Sequence, residues 1–291
     1  MQLGWFARSF GFESLAAPLP RASQSAWDAV TTAGVGLRNL AAAGFVGVIN
    51  EFQERRVLAL APHPDDEALG PGGTLLRHAR SGGHLTVLYM TDGRHGASAE
   101  GTPQGLGRHA TADETRMIAR RRSEAQNAGR ILGVNAQSFM DVADRELCTT
   151  PELIAHLRSA FLSNDLLYLP SPFDGHRDHW HTFALAAATI EGAASLVSNL
   201  KCRLYEVWAP TIANAVVDIT DVCNEKWAAM SEYTSQLARC DYLRTVQGLN
   251  AFRSQYIGGR GYAEAFLELT PAALVKLWRE LAPFGEALCV V

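Results

Sequence analysis

The sequence has no excess of basic residues and no long apolar run, and each absence excludes a class of protein. With 26 Lys and Arg against 30 Asp and Glu, the formal net charge is −4, which leaves no cationic surface for a phosphate backbone. We therefore expect no nucleic acid partner. The most apolar candidate segment, residues 40–49, is far shorter than the roughly 18 apolar residues that a membrane span requires, so no integral membrane span is predicted.

Paired cysteine motifs are also lacking. The five cysteines are odd in number and widely spread, at Cys148, Cys202, Cys223, Cys240 and Cys289. This pattern fits neither a disulfide framework nor a CxxC zinc site, and it is typical of a reducing compartment. A basic segment followed by an apolar run and a small-residue cleavage site is not visible near residue 1 either. A cytoplasmic location is the resulting expectation.

The character of the chain changes near residue 56. Residues 1–55 contain prolines and small polar residues before an Ala/Gly/Val stretch. We expect them to form an extension that packs on the main domain or takes part in a homo-oligomer contact, with peripheral membrane attachment as the alternative. From residue 56 short β-type runs alternate with helical patterns, as is typical of parallel βαβ units. A single main domain is predicted over residues 56–291.

The predicted elements define an α/β fold. Strands are expected at five places, namely 57–61, 85–90, 165–170, 203–208 and 215–219. Helices are expected over 67–80, on an apolar face that runs from Ile118 to Leu132, and from about His179, with the chain after 219 mainly helical. This order predicts a Rossmann-like three-layer sandwich, a mostly parallel sheet with helices on both faces. Ligands bind such folds beyond the carboxyl ends of the strands.

Two loops that follow predicted strands carry most of the chemically active side chains. The first is HPDDE, His63–Glu67, and the second is SPFDGHRDHWH, Ser171–His181. Together they hold four of the nine histidines. Because each loop follows a strand and precedes a helix, both should open at the same edge of a parallel sheet.

The spacing in these loops indicates a metal site. Catalytic zinc takes three protein ligands from His, Asp and Glu, and a dication offsets the cost of packing carboxylates at a strand end. His63 and Asp66 lie three residues apart at a helix start, and His176 and His179 repeat that spacing. Two histidines and one carboxylate hold Fe²⁺ equally well, so the spacing leaves the element open.

A spare acid beside such a metal predicts hydrolysis. The metal lowers the pKa of a bound water towards about 7, and Asp65 could accept the proton. A cationic His176, held by Asp178, could stabilise the oxyanion and protonate the leaving amine. Two remote alternatives remain, a nucleotide-binding Rossmann module and a non-haem iron enzyme. The sequence lacks the GxGxxG spacing that a nucleotide-binding module needs, and the nearby glycines lie several residues beyond the strand.

The motifs resemble a known family. The matching segments are APHPDDEALGPGG (61–73), YMTDGRHG (89–96), RRSEAQNAGRILGV (121–134) and GHRDH (175–179). They resemble those of the LmbE-like, or PIG-L, deacetylases, which include the N-acetylglucosaminyl phosphatidylinositol deacetylase and the sugar deacetylases of mycothiol and bacillithiol synthesis. The likeness extends over roughly residues 56–268. It implies a zinc-dependent hydrolase that removes acetyl from an N-acetylated amino sugar or glycoconjugate; an amidase for another sugar-linked or thiol-conjugate amide is the alternative.

The resemblance also implies a role for nine residues. They are the metal ligands His63, Asp66 and His179, the general base Asp65, the oxyanion partner His176 with Asp178 tuning it, and the substrate contacts Arg121 and Asp144, with Asp92 as the rival of Asp144. The chain departs from the usual HPDH by having Arg177, and Trp180 and His181 follow directly. Sugar stacking is a further possibility for exposed aromatics, although core packing accounts for most aromatic residues.

Overall fold

The computed structural model describes residues 46–97 and 109–288. Eight strands of this part form one sheet: β1 (Gly47–Val48), β2 (Arg56–Ala61), β3 (His84–Thr91), β4 (Ala136–Val142), β5 (Leu166–Pro170), β6 (Lys201–Tyr205), β7 (Ala215–Asp218) and β8 (Ala263–Leu269). Their order is β1-β7-β8-β6-β5-β2-β3-β4. Only β8 runs antiparallel, to its neighbours β6 and β7. The predicted α/β fold with a mostly parallel sheet is confirmed.

Helices cover both faces of this sheet. In the described ranges they are α1 (Asp66–Leu69), α2 (Gly72–Arg80), α3 (Ala112–Leu132), α4 (Pro151–Leu162), α5 (Arg177–Glu191), α6 (Cys223–Ser231), α7 (Thr234–Leu237), α8 (Tyr242–Arg253) and α9 (Pro271–Leu281). Since successive side chains of a strand point to opposite faces, strand β2 serves two cores. Val57 and Ala59 pack with α2, α3 and α6, whereas Leu58 and Leu60 pack with α4, α5 and α9.

Local signals set the limits of α3. The side chain of Thr111 accepts a hydrogen bond from the backbone of Glu114, and the Glu114 carboxylate accepts one from the backbone of Thr111, which forms a capping box. The helix ends at Gly133, whose φ of 74° suits a residue without a Cβ. The predicted apolar face, from residue 118 onward, therefore belongs to a longer helix.

The helix predicted over 67–80 is broken in two. Helix α1 ends at Leu69 and α2 begins at Gly72. Pro71 has no N–H with which to continue the helical hydrogen bonding. A Cβ on Gly70 would lie 2.4 Å from the Tyr205 ring, so this turn must pass close to β6.

Three of the observed strands, β1, β4 and β8, were not expected from the sequence. Strand β8 lies in the region predicted to be mainly helical, and that prediction is wrong there. Its sequence AEAFLEL contains several good helix formers. It is nevertheless a strand, because it lies between β6 and β7 and forms hydrogen bonds to both. Strand β4 was also missed, and the strand predicted over 203–208 ends at Tyr205.

Part of the predicted extension belongs to the sheet. Residues 1–45 lie outside the described residues, whereas Gly47 and Val48 pair with β7. None of the helices in 46–97 and 109–288 is long and apolar enough to cross a membrane. The four described cysteines, Cys148, Cys202, Cys223 and Cys240, are free thiols.

Candidate active site

The two loops singled out in the sequence meet at one edge of the sheet. Strands β2 and β5 are parallel neighbours, so their carboxyl ends lie side by side. His63 and Asp66 follow β2, and His179 lies in the first turn of α5, beyond β5. The structure brings all three predicted metal ligands together, and they are buried, with 8%, 1% and 0% of their surface exposed.

The ligand atoms of these three residues form a nearly equilateral triangle. Nδ1 of His63 lies 3.2 Å from Oδ2 of Asp66 and 3.3 Å from Nε2 of His179, and the third side, from His179 to Asp66, is 3.3 Å. Zinc binds such atoms at about 2.0–2.2 Å, which in a tetrahedral site separates ligands by about 3.3–3.5 Å. The donor set therefore fits one divalent cation.

The three ligand side chains shift one another's pKa values. Burial raises the pKa of Asp66, but the charges and hydrogen bonds of His179 and His63 outweigh it and hold that pKa well below its ordinary range. Burial lowers the pKa of His179, yet Asp66 and Asp174 raise it to about 10. A metal ligand must be deprotonated, so a cation would displace imidazole protons when it binds.

The second ring nitrogen of His179 is held by an acid that sequence reasoning missed. Nδ1 of His179 lies 2.7 Å from Oδ2 of Asp174, and the other oxygen of Asp174 accepts the backbone N–H of Trp208 at 3.1 Å. Carboxylates commonly orient metal-binding imidazoles in this way. The signal available in the sequence was an acid five residues before a predicted ligand, in the same loop.

His63 has acids at its second ring nitrogen as well. Nε2 of His63 lies 3.1 Å from Oδ2 of Asp178 and 3.3 Å from Oδ1 of Asp144. Burial lowers the pKa of His63, but Asp144, Asp178 and Asp66 together raise it well above its ordinary value. Asp178 was expected beside His176, so the structure places its carboxylate on a different imidazole from the expected one.

His176 borders the triangle as a half-buried, neutral ring. One of its nitrogens lies within 4.8 Å of nitrogens of His63 and His179. Burial lowers the pKa of His176 to about 2, and the positive charges of His63 and His179 act in the same direction. Nδ1 of His176 accepts the backbone N–H of Asp178 at 3.2 Å, so the neutral ring carries its proton on Nε2. This differs from the cationic imidazole expected from the sequence.

Asp65 combines backbone strain with an unusual acidity. Its φ of 148° is rare for a residue with a Cβ, and such strain concentrates at functional sites. Burial raises the pKa of Asp65 to about 7, and Asp66 adds to the rise, while Arg121 opposes it. A carboxyl group with a pKa near neutrality matches the requirement for a general base.

Arg121 forms an ion pair with Asp65. It is almost fully buried and its Nη2 lies 3.0 Å from Oδ2 of Asp65. It also donates hydrogen bonds to the carbonyl oxygens of Pro64, at 2.6 Å, and Gly93, at 3.2 Å. The structure thus gives Arg121 partners in two loops, where the resemblance implied a contact with substrate.

Each of the three consecutive acids after β2 is stabilised in the protein interior by a different contact. Asp65 is paired with Arg121, and Asp66 lies between two imidazoles. Glu67 accepts a hydrogen bond from Tyr233, and burial raises its pKa to about 8. Glu67 is therefore predominantly protonated at neutral pH, which limits the like charge packed at this strand end.

The two candidates for sugar contact differ in their surroundings. Oδ2 of Asp144 accepts the backbone N–H of His95 at 3.2 Å, and Asp144 also faces His63. The Asp92 carboxylate is bound by the Arg94 side chain at 2.5 and 2.8 Å and accepts the backbone N–H of Asp144. Asp144 therefore lies against the ligand His63, whereas the Asp92 carboxylate is held by Arg94 and by the backbone of Asp144.

An aromatic pair lies at the rim. Trp208 follows β6 with 49% of its surface exposed, and its ring packs edge-on against Tyr242 at 5.3 Å. The backbone N–H of Trp208 donates to Asp174, the acid that holds His179, so the pair lies next to the triangle. Burial raises the pKa of Tyr242, and the charge of Asp65 raises it further. Trp180, next to the ligand His179, is instead a core residue.

A buried ion pair fixes the turn between α1 and α2. Nζ of Lys226 donates to the carbonyl oxygens of Leu69 and Gly70 at 3.0 Å and lies 2.6 Å from Glu264. Glu264 in turn accepts the backbone and side-chain hydrogen bonds of Thr74. These contacts satisfy the last carbonyls of one helix and the first N–H groups of the next. Local sequence patterns did not indicate this pairing.

The chain is similar to known deacetylases. A family model described as PIG-L: GlcNAc-PI de-N-acetylase matches residues 58–190. A diacetylchitobiose deacetylase of Thermococcus kodakarensis is 29% identical over 252 residues, which cover 76% of this chain and 88% of the relative.

Two solved structures share the fold. An N,N'-diacetylchitobiose deacetylase from Pyrococcus horikoshii has a TM-score of 0.63 at 23% identity and covers 86% of this chain and 93% of its own. GalB from Pseudomonas putida, a 4-carboxy-2-hydroxymuconate hydratase, has a TM-score of 0.64 at 23% identity, with coverages of 75% and 97%. At these identities the likeness concerns the fold alone, and this fold also carries a reaction other than deacetylation.

Proposed function

We propose that this chain, whose residues 58–190 match the PIG-L family model, is a metal-dependent amide hydrolase that removes the acetyl group from an N-acetylated amino sugar or glycoconjugate. One observation carries the proposal: the ligand atoms of His63, Asp66 and His179 converge within 3.3 Å of one another. Directly beside them lies Asp65, a strained acid with a pKa of about 7.

Zn²⁺ is the proposed metal. A divalent cation held by His63, Asp66 and His179 supplies Lewis acidity and lowers the pKa of a water that it binds. Two imidazoles and one carboxylate suit Zn²⁺, although Fe²⁺ or another divalent metal fits the same donors.

Asp65 is the proposed general base. Its carboxylate accepts a proton from the attacking water and later returns that proton to the leaving amine, so that acetate and a free amine are released. The Arg121 ion pair, at 3.0 Å, keeps one carboxylate oxygen fixed in place. The same ion pair keeps the pKa of Asp65 from rising further, so a useful fraction of the base form exists near neutral pH.

His176 is the proposed oxyanion partner. Because its Nδ1 accepts a backbone hydrogen bond from Asp178, its Nε2 carries the proton and can donate to the oxygen that becomes negative during attack. The low pKa of His176 keeps the ring neutral, so this single N–H is the donor that the ring offers. Removal of one such donor typically costs about 3 to 4 kcal/mol, or hundreds-fold in turnover.

The rim supports a sugar substrate. Trp208 and Tyr242 offer apolar ring faces beside the site, and aromatic faces pack against the apolar face of a sugar ring. Asp144 is the proposed acceptor for sugar hydroxyls, since Asp92 is held by Arg94. A cytoplasmic enzyme and a homo-oligomer remain predictions, the first in line with the four free thiols.

Metal analysis combined with an amine-release screen tests the proposal. We expect about one divalent metal per chain, and release of acetate and amine from N-acetylglucosamine or diacetylchitobiose, lost on chelation and restored by Zn²⁺. The screen should include a thiol-conjugate amide, to test the alternative amidase. Acetate release under anaerobic conditions would exclude an oxygen-dependent iron enzyme. A metal-loaded chain that hydrolyses no N-acyl sugar would refute the proposed substrate class.

A further inference from the structure

Asp178 is the acid whose position departs most clearly from the expected arrangement. It is completely buried, and its Oδ2 lies 3.1 Å from Nε2 of His63. The same oxygen accepts the backbone N–H of Arg145 at 2.9 Å, which fixes the direction of the carboxylate. We propose that Asp178 is a positioning residue for the metal ligand His63, and that it does not act through His176.

The contacts of His176 argue against a carboxylate partner on that ring. Nδ1 of His176 is bound by the backbone N–H of Asp178, at 3.2 Å. The remaining oxygen of Asp178, Oδ1, has no hydrogen-bond partner among the described residues. The Asp178 side chain bonds to His63 and to the backbone of Arg145, whereas its bond to His176 comes from its backbone N–H.

The consequence for His63 is a fixed tautomer. With Nε2–H directed at Asp178, and at Asp144 at 3.3 Å, the lone pair of Nδ1 is directed at Asp66 and His179. A carboxylate on the far nitrogen holds ring orientation and raises the basicity of the ligand. It thereby lowers the free energy needed to organise the ligand for a cation.

The same loop provides a matching device for the other imidazole. Asp174 contacts Nδ1 of His179 at 2.7 Å, so that Nε2 of His179 is left to face the shared centre. The segment Ser171–His181 therefore supplies one ligand and the acids that orient both ligand imidazoles. Asp178 acts across the site, on a histidine 115 residues away in the chain.

Metal affinity, measured without substrate by competition with a chromogenic chelator, tests this inference. We expect Asp178→Asn to weaken Zn²⁺ and Co²⁺ binding by about 10- to 100-fold, as loss of such a contact typically does. Asp174→Asn should behave alike, whereas His176→Gln should bind metal as the parent does. Saturating metal should restore most of the activity of Asp178→Asn, and its rate should depend on pH as that of the parent does.

Two controls separate positioning from charge and from folding. Asp65→Asn removes a negative charge at the same site without removing a contact to a ligand ring, so its metal affinity should fall much less than that of Asp178→Asn. Thermal unfolding of the metal-free proteins checks that each variant folds. If Asp178→Asn does not fold, Asp144→Asn, which removes the other acid at the same nitrogen, is measured instead.

The inference is overturned if Asp178→Asn binds metal as tightly as the parent, or if it binds normally and only the pH dependence of kcat moves. The latter result would indicate that Asp178 acts through His176. The inference rests on the proposed function only for the presence of a cation. A chain that binds no divalent metal would refute the proposed function, whereas a wrong substrate class would leave this test intact.

Discussion

Replacement of Asp65 by Asn removes the proposed base while changing the shape of the side chain little. The amide can still lie beside Arg121 but cannot accept a proton from water. General base catalysis contributes about 10²- to 10⁴-fold, or about 3 to 5 kcal/mol of the barrier. We therefore expect kcat to fall by that factor in Asp65→Asn, with metal content close to one per chain.

The acidity of Asp65 adds a pH dependence to this prediction. Its pKa is raised to about 7 by burial, and a bound cation, like Arg121, would oppose that rise. Asp65 becomes protonated as pH falls through this pKa, and only its ionised form can act as the base. The kcat/KM of the parent enzyme should therefore decrease at low pH, with a midpoint between the ordinary pKa of an aspartate and about 7. Asp65→Asn should lack this limb.

An amine-release assay from pH 4.5 to 9, at saturating metal, measures both effects. Metal content by elemental analysis shows whether the loss lies in chemistry or in binding. A variant that carries metal and retains the full rate would remove Asp65 from its role as base, and a loss explained by missing metal would make it a metal-site residue instead.

Three further outcomes follow from the same contacts. Lys226→Met leaves Glu264 buried without its cation, so the free energy of unfolding should fall by about 3 to 5 kcal/mol, as measured by denaturant titration; an unchanged midpoint would contradict a stabilising role for this ion pair. Trp208→Ala should raise KM more for diacetylchitobiose than for N-acetylglucosamine while Trp208→Phe retains most affinity, and equal effects on both sugars would remove the stacking role. Metal affinity should fall steeply on acidification, because the raised pKa of His179, about 10, makes protons strong competitors; calorimetry in buffers of different ionisation enthalpy should detect proton release, and none would contradict this coupling.

The parts of the structure that local patterns determine could be predicted from the sequence. The apolar runs after residue 56 located β2, β3 and β5, because fully buried strands of a parallel sheet are apolar on both faces. The parallel order then placed the loops of His63 and His179 at one edge. That placement brings the two loops together, whereas the approach of the ligand atoms to within 3.3 Å of one another is seen only in the structure.

The parts that depend on distant contacts could not be predicted. Strand β8 has a helix-like composition and becomes a strand through hydrogen bonds with β6 and β7. Lys226 and Glu264 meet across 38 residues, and Asp178 reaches His63 across 115. Spacing in the sequence shows which acids lie near a strand end, but the direction of each carboxylate depends on backbone donors such as Arg145.

The central claim is that one divalent cation is held by His63, Asp66 and His179. A crystal structure of the protein grown with Zn²⁺, with anomalous diffraction measured at the zinc edge, tests it most directly. We expect a single strong peak within about 2.0–2.2 Å of Nδ1 of His63, one Asp66 oxygen and Nε2 of His179. A zinc ion bound elsewhere, or no peak at this centre under saturating Zn²⁺, would contradict the account.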